Sequence, residues 1–221
     1  MKILITAGGT EEPLDGVRRL SNLSTGATGG VIAQTFASRG DEVLLLHAER
    51  ALLPEFEVKR QTFVTFADLE RALRHLLAEA SWDAVIHAAA VGDYHVAAME
   101  VDGQPVEAGA QGKIGAGREV VVRLAANPKL IDNLRTWSSN PSISVVGFKL
   151  TDHADPGGRR TQVQALLDRD VADLVVHNDV SEIDDGRHVT TIYRGHEVVA
   201  KAETKERLAH ALVGLLEGGP S

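Results

Sequence analysis

The chain has 221 residues, the length of one large domain, and its contents of 43% hydrophobic and 24% charged residues are typical of globular proteins. Asp and Glu outnumber Lys and Arg by 31 to 23, and the resulting net charge of −8 argues against a broad basic surface for nucleic acid. The absence of cysteine excludes disulfides, cysteine-ligated metal centres and a cysteine nucleophile.

The first half of the chain predicts strands that alternate with helices. An apolar run bounded by Gly8-Gly9 predicts a buried strand at the N-terminus. The clearest helix begins near Thr65 or Asp68, either of which is a suitable cap, and carries one apolar stripe at helical spacing. The predicted strands cover 2–7, 42–47, 58–64 and 83–88, and the predicted helices cover 26–39 and about 65–80.

The second half continues this alternation after one irregular stretch. Residues 95–123 contain no helical stripe, but 119–124 read as a strand, so we expect a hairpin-like excursion from the main domain. Pro128 is expected at the first helical position, where its missing N–H costs nothing. Further strands are predicted over 143–148, 172–177, 187–193 and 197–200, and helices over 128–137, 158–169 and 204–217.

Alternating strands and helices predict an α/β, Rossmann-like three-layer fold. We expect one domain over 1–221, with a mostly parallel sheet and a hairpin excursion at 95–123 that contributes to dimerisation. Ligands of such folds bind beyond the carboxyl ends of the parallel strands. The candidate loops are therefore 8–25, 89–95, 125–128, 148–157 and 178–186.

The chain ends and apolar runs predict a cytoplasmic protein without a membrane partner. The N-terminal apolar run is too short for a signal peptide core, and no segment approaches 18 continuous apolar residues. The tail 218–221 is expected to be a frayed end.

Several common catalytic motifs are absent from the sequence. Ile114 follows the only Gly-Lys pair, which excludes a Walker loop, and no Gly-x-Ser-x-Gly elbow is present. The histidine spacing presets no helical zinc site, so no protein metal site is predicted.

One glycine-rich segment leaves a second reading open. The segment Thr25-Gly26-Ala27-Thr28-Gly29-Gly30 resembles the turn of NAD(P)-binding short-chain oxidoreductases. Their turn directly follows the first strand, whereas eighteen residues intervene here. Neither Tyr94 nor Tyr193 has a lysine four residues later, as those enzymes require. The segment still opens a helix whose N–H groups are suited to phosphate.

A set of short motifs, read together, resembles one family. The long polar loop at 8–26 is typical of functional loops. Taken with Ala89-Ala90-Val91-Gly92-Asp93-Tyr94, Gly112-Lys113-Ile114, Asn127-Pro128-Lys129-Leu130-Ile131, Val146-Gly147-Phe148-Lys149-Leu150 and His177-Asn178-Asp179-Val180, it makes the chain similar to phosphopantothenate–cysteine ligases nearly end to end. Nothing precedes the first strand, so the stand-alone bacterial form is expected.

The resemblance implies a ligase of coenzyme A biosynthesis. Such enzymes join 4'-phosphopantothenate to cysteine with CTP or ATP, through an acyl-nucleotidylate and with release of pyrophosphate. The resemblance also implies Mg²⁺ carried by the nucleotide, no flavin, and a homodimer. The open alternatives are the short-chain oxidoreductase and a non-catalytic nucleotide-binding relative.

The resemblance also assigns residue roles. Asn22 and Lys113 match catalytic positions: the asparagine acts on the acyl-nucleotidylate, and the lysine reaches the triphosphate from a mobile loop. Lys149 is a possible phosphate partner. The nucleotide-binding positions are Gly8, Ser24, Gly26, Gly29, His87, Ala88, Ala89, Asp93, Lys113, Pro128, Lys129, Leu130, Ile131, Phe148 and Arg169.

Three positions depart from the family pattern. Ile114-Gly115-Ala116-Gly117 stands where fused bacterial enzymes carry further lysines, and Arg169 alone remains of a basic pair. Thr151-Asp152 stands where relatives place Glu. These departures bear on the choice between CTP and ATP more than on the reaction class.

Overall fold

A computed structural model describes residues 1–110, 112–152, 155–184 and 187–218. The expected frayed tail at 219–221 lies outside the described residues. The strands are β1 (Lys2–Ala7), β2 (Glu11–Pro13), β3 (Arg19–Ser21), β4 (Glu42–Ala48), β5 (Lys59–Phe63), β6 (Ala84–His87), β7 (Tyr94–Val101), β8 (Gln104–Val106), β9 (Val120–Ala126), β10 (Ser144–Thr151), β11 (Leu174–Asp184), β12 (Arg187–Arg194) and β13 (Glu197–Ala202). The helices are α1 (Ala27–Ser38), α2 (Phe66–Glu79), α3 (Leu134–Trp137), α4 (Pro156–Leu167) and α5 (Lys205–Glu217).

Eight strands form the main sheet, in the order β13-β12-β11-β10-β6-β1-β4-β5. The strands from β11 to β5 are parallel, and β12 and β13 add an antiparallel hairpin at one edge. This arrangement confirms the predicted α/β, Rossmann-like class. The chain moves from β1 to β4 in one direction and from β6 to β10 in the other, so the strand order reverses between β1 and β6.

Helices cover both faces of the main sheet. The core on one face contains Ile32, Phe36 and Leu212 from α1 and α5, whereas that on the other contains Leu69 and Leu134 from α2 and α3. These five side chains are fully buried. The central parallel strands are covered on both faces, so each face of the sheet has its own hydrophobic core.

Both predicted capping residues act at the start of α2. The Thr65 hydroxyl accepts a hydrogen bond from the Asp68 N–H, and the Asp68 carboxylate accepts one from the Thr65 N–H. This reciprocal arrangement satisfies two otherwise unpaired donors and fixes where the helix begins.

The excursion at 95–123 is larger than a hairpin. It forms a separate three-stranded antiparallel sheet in the order β8-β7-β9. The loop after β1 also carries secondary structure, because Glu11–Pro13 and Arg19–Ser21 pair as a short antiparallel hairpin. Both small sheets project from the carboxyl end of the main sheet.

The predicted helix over 128–137 is wrong in its first half. Residues Leu130–Asn133 form a 3-10 turn and only Leu134–Trp137 is α-helical, while Lys129 is extended with φ −81° and ψ 112°. Asn127 explains the difference, since its backbone N–H donates to the Asp93 carbonyl at 2.8 Å and its side-chain amide donates to the Gly92 carbonyl at 2.9 Å. These bonds continue the pairing with the start of β7 as far as Asn127, and Pro128 does not begin a helix.

Candidate active site

A cleft of about 1040 Å³ lies beyond the carboxyl ends of β1, β6, β10 and β11. It opens where the strand order reverses, which is the usual ligand position in doubly wound α/β folds. Its walls are formed by the segments 21–29, 87–93, 128–131 and 148–150, by Asn178 and Val180, and by residues of α4 and the starts of β12 and α5.

Most of the predicted site residues line this cleft. They come from segments far apart in the chain, and parallel strands bring them to one edge. The lining includes Asn22, Ser24, Gly26, Gly29, His87, Ala88, Ala89, Asp93, Pro128, Lys129, Leu130, Ile131, Phe148, Lys149 and Arg169. Gly8 and Lys113 are not among the lining residues.

The loops after β1 and β6 are joined at the cleft by backbone hydrogen bonds. The Ala90 N–H donates to the Gly8 carbonyl at 2.8 Å, and the Thr10 N–H donates to the Ala90 carbonyl at 3.1 Å. The Thr10 hydroxyl, which is buried, accepts a further bond from the Gly92 N–H at 2.8 Å. These bonds fix the position of the segment that carries His87, Ala88, Ala89 and Asp93.

Close packing around the start of α1 requires glycine at two positions. Gly26 adopts φ +77°, and a β-carbon there would lie 2.9 Å from the Ala51 β-carbon and 3.1 Å from the Gly8 nitrogen. A β-carbon on Gly29 would lie 2.6 Å from that of Ala7 in β1. Close approach of α1 to the sheet therefore accounts for these glycines, and the same closeness sets the α1 N-terminus at the cleft edge.

Asn22 is exposed at the cleft and tied to the opposite loop. Its side-chain amide donates to the Val91 carbonyl at 3.1 Å. A primary amide carries two N–H groups, so this bond fixes the amide plane and leaves one donor for a ligand. The arrangement suits a neutral donor directed at a developing negative charge.

His87 at the end of β6 contributes a neutral imidazole. Burial lowers its pKa to about 4. Its Nδ1 lies 3.0 Å from the Thr6 hydroxyl oxygen, which also accepts a bond from the Ala89 N–H at 3.1 Å. His87 therefore orders the floor of the cleft without supplying positive charge at neutral pH.

Two of the predicted cationic residues are paired with carboxylates. Lys129 forms an ion pair with Asp93, which is itself a predicted site residue, and both side chains are more than half exposed. Arg169 forms an ion pair with Asp132 from the 3-10 turn. Lys149, in contrast, is partly buried in the cleft and has no carboxylate partner within the described parts of the chain.

Lys113 lies on an exposed segment whose next residue is anchored to the hairpin after β1. The Ile114 N–H donates to the Asp15 carboxylate at 3.1 Å, and Arg18 donates to the Ile114 carbonyl at 3.3 Å. Bonds from Val17, Ile114 and Arg18 lower the Asp15 pKa to about 2. The predicted contact between Lys113 and a triphosphate stays a prediction.

Several residues of the cleft were not given a role from the sequence. Asn178 lines it and is 8% exposed, although the Asn178-Asp179 pair was noted as a motif. Thr28, His188 and Lys205 line it as well. No local pattern marks His188 and Lys205, because the antiparallel edge hairpin brings the first to the cleft and the start of α5 brings the second.

Asp179 is the centre of a buried polar cluster behind Asn178. The hydroxyls of Ser181 and Thr151 donate to its carboxylate, and Arg159 lies 3.3 Å away. The two hydroxyls and the guanidinium together lower the Asp179 pKa well below its usual range. This cluster joins the ends of β10 and β11, and it thereby fixes the wall that carries Asn178.

Two negative findings concern the described residues alone. Within 1–110, 112–152, 155–184 and 187–218, no group of three or more His, Asp or Glu side chains is arranged to hold a metal ion. Over the same ranges, no helix has both the length and the apolar character needed to cross a membrane.

Comparison with known proteins gives consistent matches. The family model of the DNA/pantothenate metabolism flavoprotein C-terminal domain matches residues 1–218. The coenzyme A biosynthesis bifunctional protein CoaBC of Escherichia coli K12 is 29% identical over 219 residues, which is 96% of this chain and 50% of the relative. CoaBC of Thermococcus kodakarensis is 28% identical over 96% of this chain and 49% of the relative. The chain therefore spans about half the length of these relatives.

Solved structures agree with these sequence matches. The DNA/pantothenate metabolism flavoprotein of Streptococcus pneumoniae is 29% identical, with a TM-score of 0.85 and 99% of each chain covered. A Cab2 variant in complex with phosphopantothenate-cysteine is 19% identical, with a TM-score of 0.76 over 98% of this chain and 86% of that one. The latter likeness concerns the fold alone.

Proposed function

Because the chain belongs to the family of the DNA/pantothenate metabolism flavoprotein C-terminal domain, we propose that it is a ligase of coenzyme A biosynthesis. It joins 4'-phosphopantothenate to cysteine at the expense of CTP or ATP and releases pyrophosphate. The observation that supports this most is the convergence of the predicted site residues from distant segments on one cleft at the strand-order reversal. The cleft volume, about 1040 Å³, is sufficient for a nucleotide and a second anion together.

The proposed reaction has two steps. An oxygen of the substrate carboxylate attacks the α-phosphorus of the nucleotide, and the bond to the departing pyrophosphate breaks. The amine nitrogen of cysteine then attacks the acyl carbon, and the nucleoside monophosphate leaves with the bonding electrons. Activation is needed because a free carboxylate is a poor electrophile. Holding both anions in one cleft makes the first step effectively unimolecular.

Asn22 is proposed to bind the acyl-nucleotidylate and to stabilise the negative charge that develops on its acyl oxygen when the cysteine amine attacks. Its amide is fixed by the Val91 carbonyl, and the second N–H is left for the ligand. A neutral donor of this kind stabilises developing charge without the desolvation cost of a buried cation. Lys113 is proposed to reach the triphosphate from its exposed segment.

Asp93 and Lys129 are proposed to bind opposite parts of the nucleotide. Asp93 accepts hydrogen bonds from the ribose hydroxyls, whereas Lys129 approaches a phosphate. Their ion pair without ligand involves two exposed groups, and such pairs contribute about 0–1 kcal/mol, so a ligand separates them at small cost. Phe148 borders the base, and Lys149 acts as a phosphate partner.

Mg²⁺ is proposed to enter with the triphosphate. The ion prefers several phosphate and water oxygens and few protein ligands, which is compatible with a cleft that contributes isolated oxygen groups. Excess chelator is expected to abolish pyrophosphate release. Activity that persists in chelator would contradict this part of the proposal.

The experiment for the reaction measures pyrophosphate release with CTP and with ATP. We expect release only when 4'-phosphopantothenate is present, and formation of the amide only when cysteine is added as well. Competition between the two nucleotides then gives the preference. No release with either nucleotide would overturn the ligase proposal, and tight NADPH binding in its place would favour the oxidoreductase alternative.

We also propose that the protein is a homodimer formed through the small three-stranded sheet. Tyr94, Val120, Val121 and Leu124 on this sheet are each more than 40% exposed, although they are large and apolar. Large apolar side chains left exposed on a small sheet are typical of protein interfaces. The dimerisation role expected for the excursion from the sequence therefore stays a prediction.

A further inference from the structure

His188, near the start of β12, is a buried histidine that the proposed mechanism does not use. Its residue exposure is 8%, and its Nδ1 atom is buried without a hydrogen-bond partner among the described residues. Its backbone N–H donates to the Glu203 carbonyl at 2.7 Å, and its Nε2 lies 3.5 Å from the Thr28 hydroxyl oxygen. The ring is thus held between the start of α5 and the first turn of α1, on the cleft wall.

The proton on this imidazole can be assigned from the two environments. A neutral imidazole has one donor and one acceptor nitrogen. A proton on Nδ1 would leave a buried N–H without an acceptor, whereas a proton on Nε2 lets the ring donate to the Thr28 oxygen. We therefore assign the proton to Nε2. The Thr28 hydroxyl then accepts that bond, and its own proton is left for a ligand.

The first turn of α1 is prepared for an anion on the same side. Thr65, Asp155 and Thr204 cap the starts of α2, α4 and α5 with side-chain oxygens. The N-cap of α1 is Gly26, which has no side chain to cap the helix, and the first turn has no acidic residue. The Thr25 hydroxyl oxygen accepts a bond from the Ala27 N–H at 3.3 Å, and no described side chain is bonded to the N–H groups of Thr28 and Gly29. Thr28 lies in this turn, and it lines the same cleft as Gly26 and Gly29. The positive end of the helix dipole favours an anion there.

Lys205 supplies positive charge at this end of the cleft. Its side chain lines the cleft and is partly buried, and no carboxylate pairs with it among residues the structure describes. The neighbouring Glu206 does not line the cleft, because its carboxylate is bonded to the Thr204 hydroxyl at the start of α5. Lys205 is therefore available to an anionic ligand.

We propose that Thr28 and Lys205 form a phosphoryl-binding subsite and that His188 positions the Thr28 hydroxyl within it. The subsite takes the terminal phosphates of the nucleotide, which leave as pyrophosphate. It adjoins Gly26 and Gly29, the positions matched to the nucleotide, which favours this source over the phosphate of 4'-phosphopantothenate. The inference deepens the proposed function and rests on it.

Direct titration calorimetry of the full chain tests the subsite, with inorganic pyrophosphate and 4'-phosphopantothenate as separate probes. We expect Lys205→Gln to raise the pyrophosphate Kd about tenfold, because it removes one charge-assisted hydrogen bond. Thr28→Val, which keeps the shape of the side chain, is expected to raise it about fivefold. Neither change is expected to alter the Kd of 4'-phosphopantothenate by more than about twofold.

Arg207→Gln is the matched control for lost charge. Arg207 lies on the same helix, is 72% exposed, pairs with Glu203 and does not line the cleft. We expect its pyrophosphate Kd to stay within about twofold of the parent, since exposed charges at a distance are largely screened. An equal loss of pyrophosphate affinity in Arg207→Gln and Lys205→Gln would show that the effect comes from net charge alone. That result would overturn the subsite.

Two variants distinguish a role of His188 in positioning the Thr28 hydroxyl from a role in stabilising the fold. His188→Gln places an amide N–H close to the position of Nε2, so we expect pyrophosphate affinity near that of the parent. His188→Leu retains the bulk and loses the donor, so we expect a loss similar to that of Thr28→Val. Equal affinities in the two variants would overturn the positioning role, provided that circular dichroism shows both folded.

The outcomes also separate this inference from the proposed function. Ligase activity in the parent, with unchanged pyrophosphate affinity in Lys205→Gln and Thr28→Val, would overturn the subsite and leave the ligase standing. Loss of pyrophosphate binding in the variants, without ligase activity in the parent, would retain the subsite and overturn the ligase. A selective loss of 4'-phosphopantothenate binding would show that the source assigned here is wrong.

Discussion

Replacement of His87 by asparagine is expected to make the free energy of unfolding depend less strongly on pH under acidic conditions. The folded protein holds this imidazole in a buried environment at the end of β6, which lowers its pKa to about 4. The unfolded chain exposes it to water, where its pKa returns to about 6.5. Between these two pH values the unfolded state binds more protons than the folded state, so stability falls as the pH falls through this window.

The magnitude follows from the two pKa values. A fall from about 6.5 to about 4 corresponds to about 3 kcal/mol of stability, present in full above pH 6.5 and lost by about pH 4. His87→Asn removes the titrating group and retains a polar atom near the position of Nδ1, within reach of the Thr6 hydroxyl. The cavity left by the smaller side chain costs the same at every pH, so it shifts the profile without changing its slope.

Urea unfolding, followed by the fluorescence of Trp82 and Trp137, measures this difference. The profile of the variant is expected to fall by about 3 kcal/mol less than that of the parent between pH 7 and pH 4. His177 and His188, whose pKa values are also lowered by burial, contribute equally to both proteins and cancel in the comparison. His75→Asn on the exposed surface of α2 is the matched control and should follow the parent. Identical profiles for His87→Asn and the parent would refute the assignment.

Three further predictions concern activity and assembly. Asn22→Asp replaces the proposed oxyanion donor by a carboxylate and should lower kcat about a hundredfold or more; single-turnover assays check this, and Asn133→Asp, away from the cleft, should stay within about twofold of the parent. Lys149→Ala should raise the nucleotide KM about tenfold by removing an unpaired cleft cation, and an unchanged KM would contradict its role. Val121→Glu should dissociate the proposed dimer in light scattering, and a monomeric parent protein would refute the interface itself.

The main sheet was predictable because its strands carry complete local signals. The run at 2–7 and the predicted strands at 42–47 and 83–88 are continuous and apolar, and such runs in alternation with helices leave few arrangements other than a parallel sheet. The capping of α2 was equally local, since Thr65 and Asp68 are three residues apart. Local sequence patterns do not predict the structure where a long-range hydrogen bond determines the backbone conformation. Asn127 bonds to Gly92 and Asp93, and no periodicity in 128–137 records that contact.

The same distinction applies to the cleft. Residues at or near the carboxyl ends of parallel strands, such as Asp93 and Lys149, were predictable because those ends lie at one edge of the sheet. His188 reaches the cleft from the antiparallel edge hairpin, and Lys205 reaches it from the start of α5. No sequence motif fixes the register with which this hairpin pairs with β11, so neither position was predictable. For the Lys113 segment, the role implied by the family resemblance is not matched by a contact in the structure. Family resemblance assigns it to the triphosphate, whereas its neighbour Ile114 is anchored by Asp15 and Arg18.

The charge distribution of the cleft explains how a chain of net charge −8 is compatible with two anionic substrates. Lys129 and Arg169 are offset by Asp93 and Asp132, and the imidazole of His87 is neutral at pH 7. Among the described residues that line the cleft, the cations without a carboxylate partner are Lys149 and Lys205. Even with Lys113 and with Lys129 released from Asp93, these single charges and one helix N-terminus do not balance a triphosphate together with a phosphorylated acid. We therefore expect a divalent cation to supply part of the neutralisation, which supports the proposed dependence on Mg²⁺. The described residues present no group of three or more His, Asp or Glu side chains arranged to hold a metal ion, so the cation is expected to enter with the nucleotide.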